Sequence, residues 1–201
     1  PVGETYTLTN GTDIATANVF NSGLVYVPGG NDRINALQDE DVLTGIAGRT
    51  DNTLNVTLGN PNDNGGWTIT PYLNNIQNIN IDWTGESTTL DLRNADSTAS
   101  VNVQRVTSDA TAVTVDNIGT PAADFRVANT ASDNVTALFR FKQGVLVGDQ
   151  AMALELNDVL ANSVTQNARG AGAGVEGFET VNLEALNGVD LANLSVNEME
   201  A

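Results

Sequence analysis

The sequence contains no cysteine and no histidine, one lysine (Lys142) among eight basic residues, and only 5% aromatic residues. Each shortage excludes a kind of chemistry. Without cysteine there is no disulfide framework and no thiolate nucleophile. Without histidine the usual acid–base side chain and a common metal ligand are missing too. No G-x-S-x-G nucleophile elbow is present, so the chain is read as a non-enzyme. No run of 18 apolar residues offers a membrane span, and no apolar signal-peptide core is visible. The first residues, "PVGETYTL", lack a methionine and read as the start of a processed product or an excised piece.

Positive charge is equally scarce. Acidic residues number 25 against 8 basic ones, a net charge of -17 over 201 residues. Such a surface repels phosphate backbones and anionic lipid headgroups, so neither nucleic acid nor membrane is an expected partner. It also repels itself unless cations screen it, and divalent cations would do so best.

What is abundant is Thr, Val, Asn, Asp, Ala and Gly, the chemistry of short strands and turns. Apolar pairs at i and i+2 recur as Ile79/Ile81, Leu90/Leu92, Val101/Val103, Val113/Val115 and Phe125/Val127. Their first members, at positions 79, 90, 101, 113 and 125, are almost evenly spaced. Each pair faces one side of a strand. The connections carry no Asn-Gly or Asp-Gly hairpin signal. The pattern predicts an all-β fold, a β-solenoid-like ladder of short strands in which two units complete one coil. An antiparallel β-sandwich has similar spacing and is the alternative. Two short helices are expected, over "DQAMALELNDVLANSV" (149–164) and over "NALQDEDVL" (35–43).

Three regions follow: 1–75 with acidic loops and strands, 76–147 as the regular ladder, and 148–201 with a helix, a Gly-rich loop (169–177) and the start of a truncated second repeat. The last expectation rests on "IQNINID" (76–82) and "FETVNLE" (178–184), which match at an offset of 178 − 76 = 102 residues. All three regions can also belong to one domain.

The stretch "YVPGGNDRINALQDEDVLTGIAG" (26–48) concentrates carboxylates and glycines. Calcium takes six to eight oxygen ligands on loops that need glycine for sharp turns. Asp13, Asn31, Asp32, Asp39, Asp41 and Asp51 supply candidate ligand side chains, and Gly29, Gly30, Gly45 and Gly48 supply turns. The other reading is that Asp and Asn act here as turn formers through their own backbone hydrogen bonds.

"YTLTNGTD" (6–13), "GGNDRINAL" (29–37), "DVLTGIAGRTDNTLNVTL" (41–58), "LNNIQNINID" (73–82) and "FETVNLE" together resemble the secreted, calcium-binding S-layer proteins with RTX-like repeats that are typical of Gram-negative bacteria. The resemblance spans residues 6–96, and more weakly 150–196. It implies that Asp13, Asp32, Asp41 and Asp51 sit at the acidic steps of the motif and bind Ca2+. The chain departs from the pattern at Gly45-Ile46, where the family has Gly-Gly, and at Asn52, which looks inserted.

Arg93, Arg105, Arg126 and Arg140 each lie at or near a strand end and could form one stripe for acidic sugars, or stand as separate solvated residues. Trp67, Tyr72 and Trp83 could form a sugar-stacking platform or fill a sheet face. Lysines normally blunt sheet edges, and their scarcity favours contacts between copies. The expected function is therefore a structural subunit of an extracellular, cell-surface layer, sheath or filament that self-assembles and is stabilised by calcium. Its expected partners are copies of itself and a cell-surface polysaccharide. The alternative is a calcium-dependent adhesin or carbohydrate-binding module.

Overall fold

The computed structural model describes residues 4–27, 29–59, 67–85, 88–107, 112–120, 124–168 and 177–197. In chain order the strands are β1 (Thr5–Thr7), β2 (Ile14–Ala17), β3 (Val19–Ser22), β4 (Leu24–Tyr26), β5 (Arg33–Asn35), β6 (Val42–Gly45), β7 (Thr53–Leu58), β8 (Trp67–Ile69) and β9 (Tyr72–Asn74). They continue as β10 (Asn78–Trp83), β11 (Thr88–Asp91), β12 (Ser100–Val106), β13 (Ala112–Ile118), β14 (Asp124–Ala131), β15 (Thr136–Phe141), β16 (Ala151–Ala168) and β17 (Thr180–Asn197). No helix occurs among the described residues.

The strands form a parallel β-solenoid of about six turns. One face stacks β1, β3, β7, β10, β12 and β14, and the opposite face stacks β8, β11, β13 and β15. The long β16 turns the corner and pairs with both β14 and β15, and β17 lies on β16 along its length. A short third side stacks β2, β6 and β9, extended by a bridge from Leu73 to Ala95. The only antiparallel pairing among the described residues is β4 with β5. Parallel stacking therefore decides against the sandwich, and it runs unbroken across residues 75/76 and 147/148.

The recurrent apolar pairs are the inward residues of alternate faces, which is why two such units close one coil. In-register pairing sets like on like: Phe20, Leu54, Ile79, Val101, Phe125, Leu154 and Leu183 form one continuous inward column. Opposite it runs Ile69, Leu90, Val115, Phe139, Gln166 and Val196. Each fully buried Leu, Ile, Val or Phe contributes roughly 1.5–3 kcal/mol of transfer free energy. Phe125 stacks edge-on or tilted with Phe139 and Phe141, and Phe141 meets Phe178, so aromatic contacts lock the two faces together near the C-terminal coils. "IQNINID" and "FETVNLE" occupy the same station in the coil: Ile76 and Phe178 are both buried just ahead of a strand on the first face.

The expected helix over 149–164 is instead part of the long strand β16, and the reason is a defined backbone feature. Asp158 has φ 55°, in the left-handed region that Asn and Asp tolerate better than other side chains. This residue breaks the alternation of the strand, so the inward side chains run Met152, Leu154, Leu156, then Val159, Ala161 and, after a corner, Val164. Steps of three between Leu156 and Val159, and between Ala161 and Val164, imitate helical spacing. Asn129 and Asn187 hold the same conformation at the matching corner of the adjacent coils, one on either side. The expected helix over 35–43 is likewise absent. Residues 36–41 form a turn that leads into β6, with Asp41 N–H donating to the Gln38 carbonyl.

One core position breaks the column rule. Gln166 is fully buried between Phe139 and Val196, and neither amide atom has a hydrogen-bond partner among the described residues. Burying an unpaired amide costs about 1–3 kcal/mol. Gln166→Leu is therefore expected to raise the free energy of unfolding by about 1–3 kcal/mol, read from the urea midpoint at unchanged m-value. A loss of stability would mean that the amide has a partner.

Candidate metal centre

The candidate ligands lie on the N-terminal coils. Asp13 and Asp41 sit one above the other, each just ahead of a strand of the short third side (β2 and β6). Both are buried, at 3% and 0% exposure. Their carboxylates are already engaged. Asp13 accepts from the Tyr6 hydroxyl (2.7 Å), the Thr9 N–H (2.8 Å) and the Thr9 hydroxyl (3.2 Å). Asp41 accepts from the Asp13 N–H through Oδ1 and from the Gln38 N–H through Oδ2, both at 2.8 Å. The same pair of residues carries the ladder onward, since Val42 N–H donates to the Asp13 carbonyl and Tyr72 N–H to the Asp41 carbonyl. These two aspartates act as coil staples, satisfying backbone donors that a turn would otherwise bury unpaired.

The electrostatics agree with burial. Desolvation pushes the Asp41 carboxyl above the ordinary aspartate value, offset by its two backbone N–H donors and reinforced by the nearby charges of Asp13 and Glu40. Tyr6 is raised as well, chiefly because its hydroxyl hydrogen-bonds to Asp13.

The remaining candidates lie apart. Asp39 Oδ1 accepts the Thr70 N–H (2.7 Å). Asp51 takes both nitrogens of the Arg49 fork, which holds its carboxyl below the usual range. Asn31 and Asp32 are exposed on the turn between β4 and β5, where the Val27 N–H donates to the Asp32 carbonyl. Among the described residues no group of three or more carboxylates converges in a way that could hold a metal ion. The donor set of Asp13 and Asp41 consists of N–H and O–H groups pointing at the oxygens, an arrangement that a cation would have to displace.

The segment that the sequence presented as a broken calcium motif is an amide corner. The Asn52 side chain is fully buried; its Oδ1 accepts the Ile46 N–H (3.0 Å) and its Nδ2 donates to the Ile46 carbonyl (3.1 Å). Asn75, with φ 54°, donates to the same carbonyl, and Gln77 bridges the Asn75 side chain and the Asn52 N–H. A Cβ on Gly45 would stand 2.1 Å from the Asn75 carbonyl oxygen and 2.6 Å from the Asn52 amide, so only glycine fits where Gly45 lies against the next coil. Glycine here serves close coil packing, and the residue that looked inserted is the hub of the turn.

A second feature absent from the sequence reading lies on the outer side of the first face. Asn21, Asn55, Asn80 and Asn102 stack in register, each amide donating to the oxygen of the one before it at 2.9–3.0 Å. The column continues as Arg126, Glu155 and Glu184, with Arg126 paired to Glu155 at 2.9 Å. The four asparagines are unevenly spaced along the chain, which hides the ladder from any fixed-period reading.

The arginine stripe does not form. Arg105 and Arg126 pair with Asp82 and Glu155 on the first face, while Arg93 and Arg140 pair with Asp91 and Asp116 at the far end of the second. Asp91 is buried, and although burial works against it, the bonds from Arg93 and Asn117 hold its carboxyl below the ordinary range. The aromatic trio also separates: Trp83 is fully buried, whereas Trp67 and Tyr72 remain 53% and 49% exposed. The Gly-Ala run at 169–176 and the acid-amide run at 60–66 lie outside the described residues.

Set against known proteins, the chain matches no family model, no curated protein and no solved structure.

Asparagine at position 41 would retain one acceptor oxygen and point an N–H at the second backbone donor. Asp41→Asn is therefore expected to cost about 1–3 kcal/mol by chemical denaturation, with or without calcium. Calcium is expected to raise the melting midpoint of wild type and variant equally. Loss of the calcium increment in Asp41→Asn alone would make Asp41 a ligand, as the resemblance to calcium-binding surface proteins implies.

Proposed function

We propose that this chain is a structural subunit that assembles with copies of itself into an extracellular layer, sheath or filament, as the resemblance to S-layer proteins implies. The observation that carries the proposal is the strand β17. It pairs with β16 on one side over its length, and no described strand pairs with its other edge. Its inward side chains, Val181, Leu183, Ala185, Val189, Leu191, Leu194 and Val196, continue the core columns, so they present an apolar tier ready for another coil. Leu183, Leu186 and Leu194 are 49%, 37% and 41% exposed.

Soluble β-proteins guard such edges with lysine, proline or very short strands. Residues 180–197 contain no Lys, Arg or Pro, and the single lysine, Lys142, donates instead to the Arg93 carbonyl. At the other end of the stack the edge is the very short β1. The two ends thus differ in kind, and assembly through β17 buries the apolar tier of each copy. Divalent cations favour it by lowering repulsion between chains that each carry a net charge of -17.

Electron microscopy and light scattering of the purified chain, with calcium and with chelator, test the reading. Ordered particles larger than a monomer are expected in calcium, and Leu183→Lys together with Leu194→Lys should abolish them while the melting midpoint of the monomer changes little. A chain that stays monomeric at high concentration in calcium, or a double variant that assembles like wild type, would contradict it.

A further inference from the structure

The coils differ in length, and one of them is longer than its neighbours. On the first face Thr53 stacks on Val19, Asn78 on Thr53 and Ser100 on Asn78, and the coil that runs from Val19 to Thr53 is the longest of these three. The surplus is an excursion comprising the β4–β5 hairpin and residues 36–40, which leaves the coil and comes up against β8 at the start of the second face. Between them lies a cavity of about 330 Å3, lined on one side by the excursion and on the other by β8. That volume falls in the range of about 300–1,000 Å3 usual for small-molecule sites.

The wall has a definite chemical character. Leu37 and Ile69 are buried lining residues, and Trp67 borders the cavity with its side chain half exposed. The polar lining comes from Asn35, Gln38, Asp39, Glu40 and Thr68. Asn35 Oδ1 is committed to the Gly59 N–H and Asp39 Oδ1 to the Thr70 N–H, while Gln38 Nε2 donates to the Asn10 carbonyl. Asp39 Oδ2, the Glu40 carboxylate and Gln38 Oε1 remain as acceptors, beside the Asn35 Nδ2 and the Thr68 hydroxyl as neutral donors. Among the described residues no Lys or Arg lines the cavity. The charged groups of the wall are acidic, so it suits a ligand that brings donors and a flat apolar side for the indole, and it disfavours an anion.

We propose that this cavity binds a neutral or amino-substituted hexose unit of a glycan. The C–H face of the sugar ring stacks on Trp67, and its hydroxyls or ammonium donate to Asp39, Glu40 and Gln38. Uronic and sulfated sugars are excluded by the same carboxylates. This site lies on the N-terminal coils, away from β17, and does not depend on assembly. It also replaces the arginine stripe, whose members are all paired to acids, as the place where a polysaccharide is met.

The test uses the full chain under conditions where scattering shows it monomeric, with glucose, glucosamine and glucuronate oligomers as probes. Trp67 fluorescence reports occupancy, since Trp83 is fully buried. The glucose and glucosamine oligomers are expected to give a saturable shift with a dissociation constant of about 1 mM, typical of a small single-site contact. The glucuronate oligomer is expected to give at least tenfold weaker binding. Trp67→Ala, followed by backbone amide shifts of Ile34–Ile69 rather than fluorescence, should weaken binding at least tenfold at an unchanged melting midpoint. Asp39→Asn with Glu40→Gln should erase the preference for glucosamine over glucose. The proposal is overturned if neither sugar gives a saturable response, if glucuronate binds as well, if Trp67→Ala binds like wild type, or if tetramethylammonium binds as tightly as glucosamine, which would make the cavity a simple cation site.

Discussion

Every feature of this molecule depends on one constraint: each residue lies directly over its equivalent one coil away, roughly 4.8 Å distant, so whatever occupies a position must be compatible with a copy of itself. Inside, that condition is met by columns of Leu, Ile, Val and Phe. Outside, it is met by asparagine, whose amide carries both donor and acceptor and so can pair with another asparagine indefinitely, as Asn21, Asn55, Asn80 and Asn102 do. A column of like charges would repel itself, and where the asparagine ladder gives way to charge, Arg126 pairs with Glu155. Gln166 is the exception that measures the rule, an amide in an apolar column with nothing to pair.

Much of the core was legible because it depends on strict alternation. The pairs from Ile79/Ile81 to Phe125/Val127 are spaced evenly and all point inward. Corners were not legible, because Asn129, Asp158 and Asn187 enter the left-handed region and insert an extra residue into the alternation. The result over 149–164 is a spacing by threes and fours that mimics a helix. The signal that resolves it is Asn or Asp recurring evenly, at positions 129, 158 and 187, between apolar pairs.

The acidic run near the N-terminus reads in two ways for a related reason. Asp and Asn are chosen both by calcium loops and by turns, and composition does not separate the two uses. In the folded chain Asp13 and Asp41 are placed by the ladder itself, at the entry to stacked strands, where a carboxylate can receive two backbone N–H groups at once. Gly45 marks close approach of one coil to the next, a use of glycine that the sequence does not separate from a cation loop. In the sequence Trp67 stands with Tyr72 and Trp83, whereas the residues that line the same cavity, Gln38, Asp39 and Glu40, lie far earlier in the chain and come to it only because the excursion folds back. A stack of this kind also has two ends, and its growth stops only where an edge is blunted. The short β1 is blunt and the long β17 is not, and the proposed assembly rests on that difference.

The central claim is that neighbouring coils hold one another, and that among the described strands β17 is paired to β16 alone. Native-state amide hydrogen exchange resolved along the chain tests it directly. Protection should be highest in β10, β12, β14 and β16, and should fall sharply in β17 for the monomer, with β17 gaining protection on assembly. Strong protection of β17 in the monomer, or interior strands that exchange as fast as the end, would contradict the account.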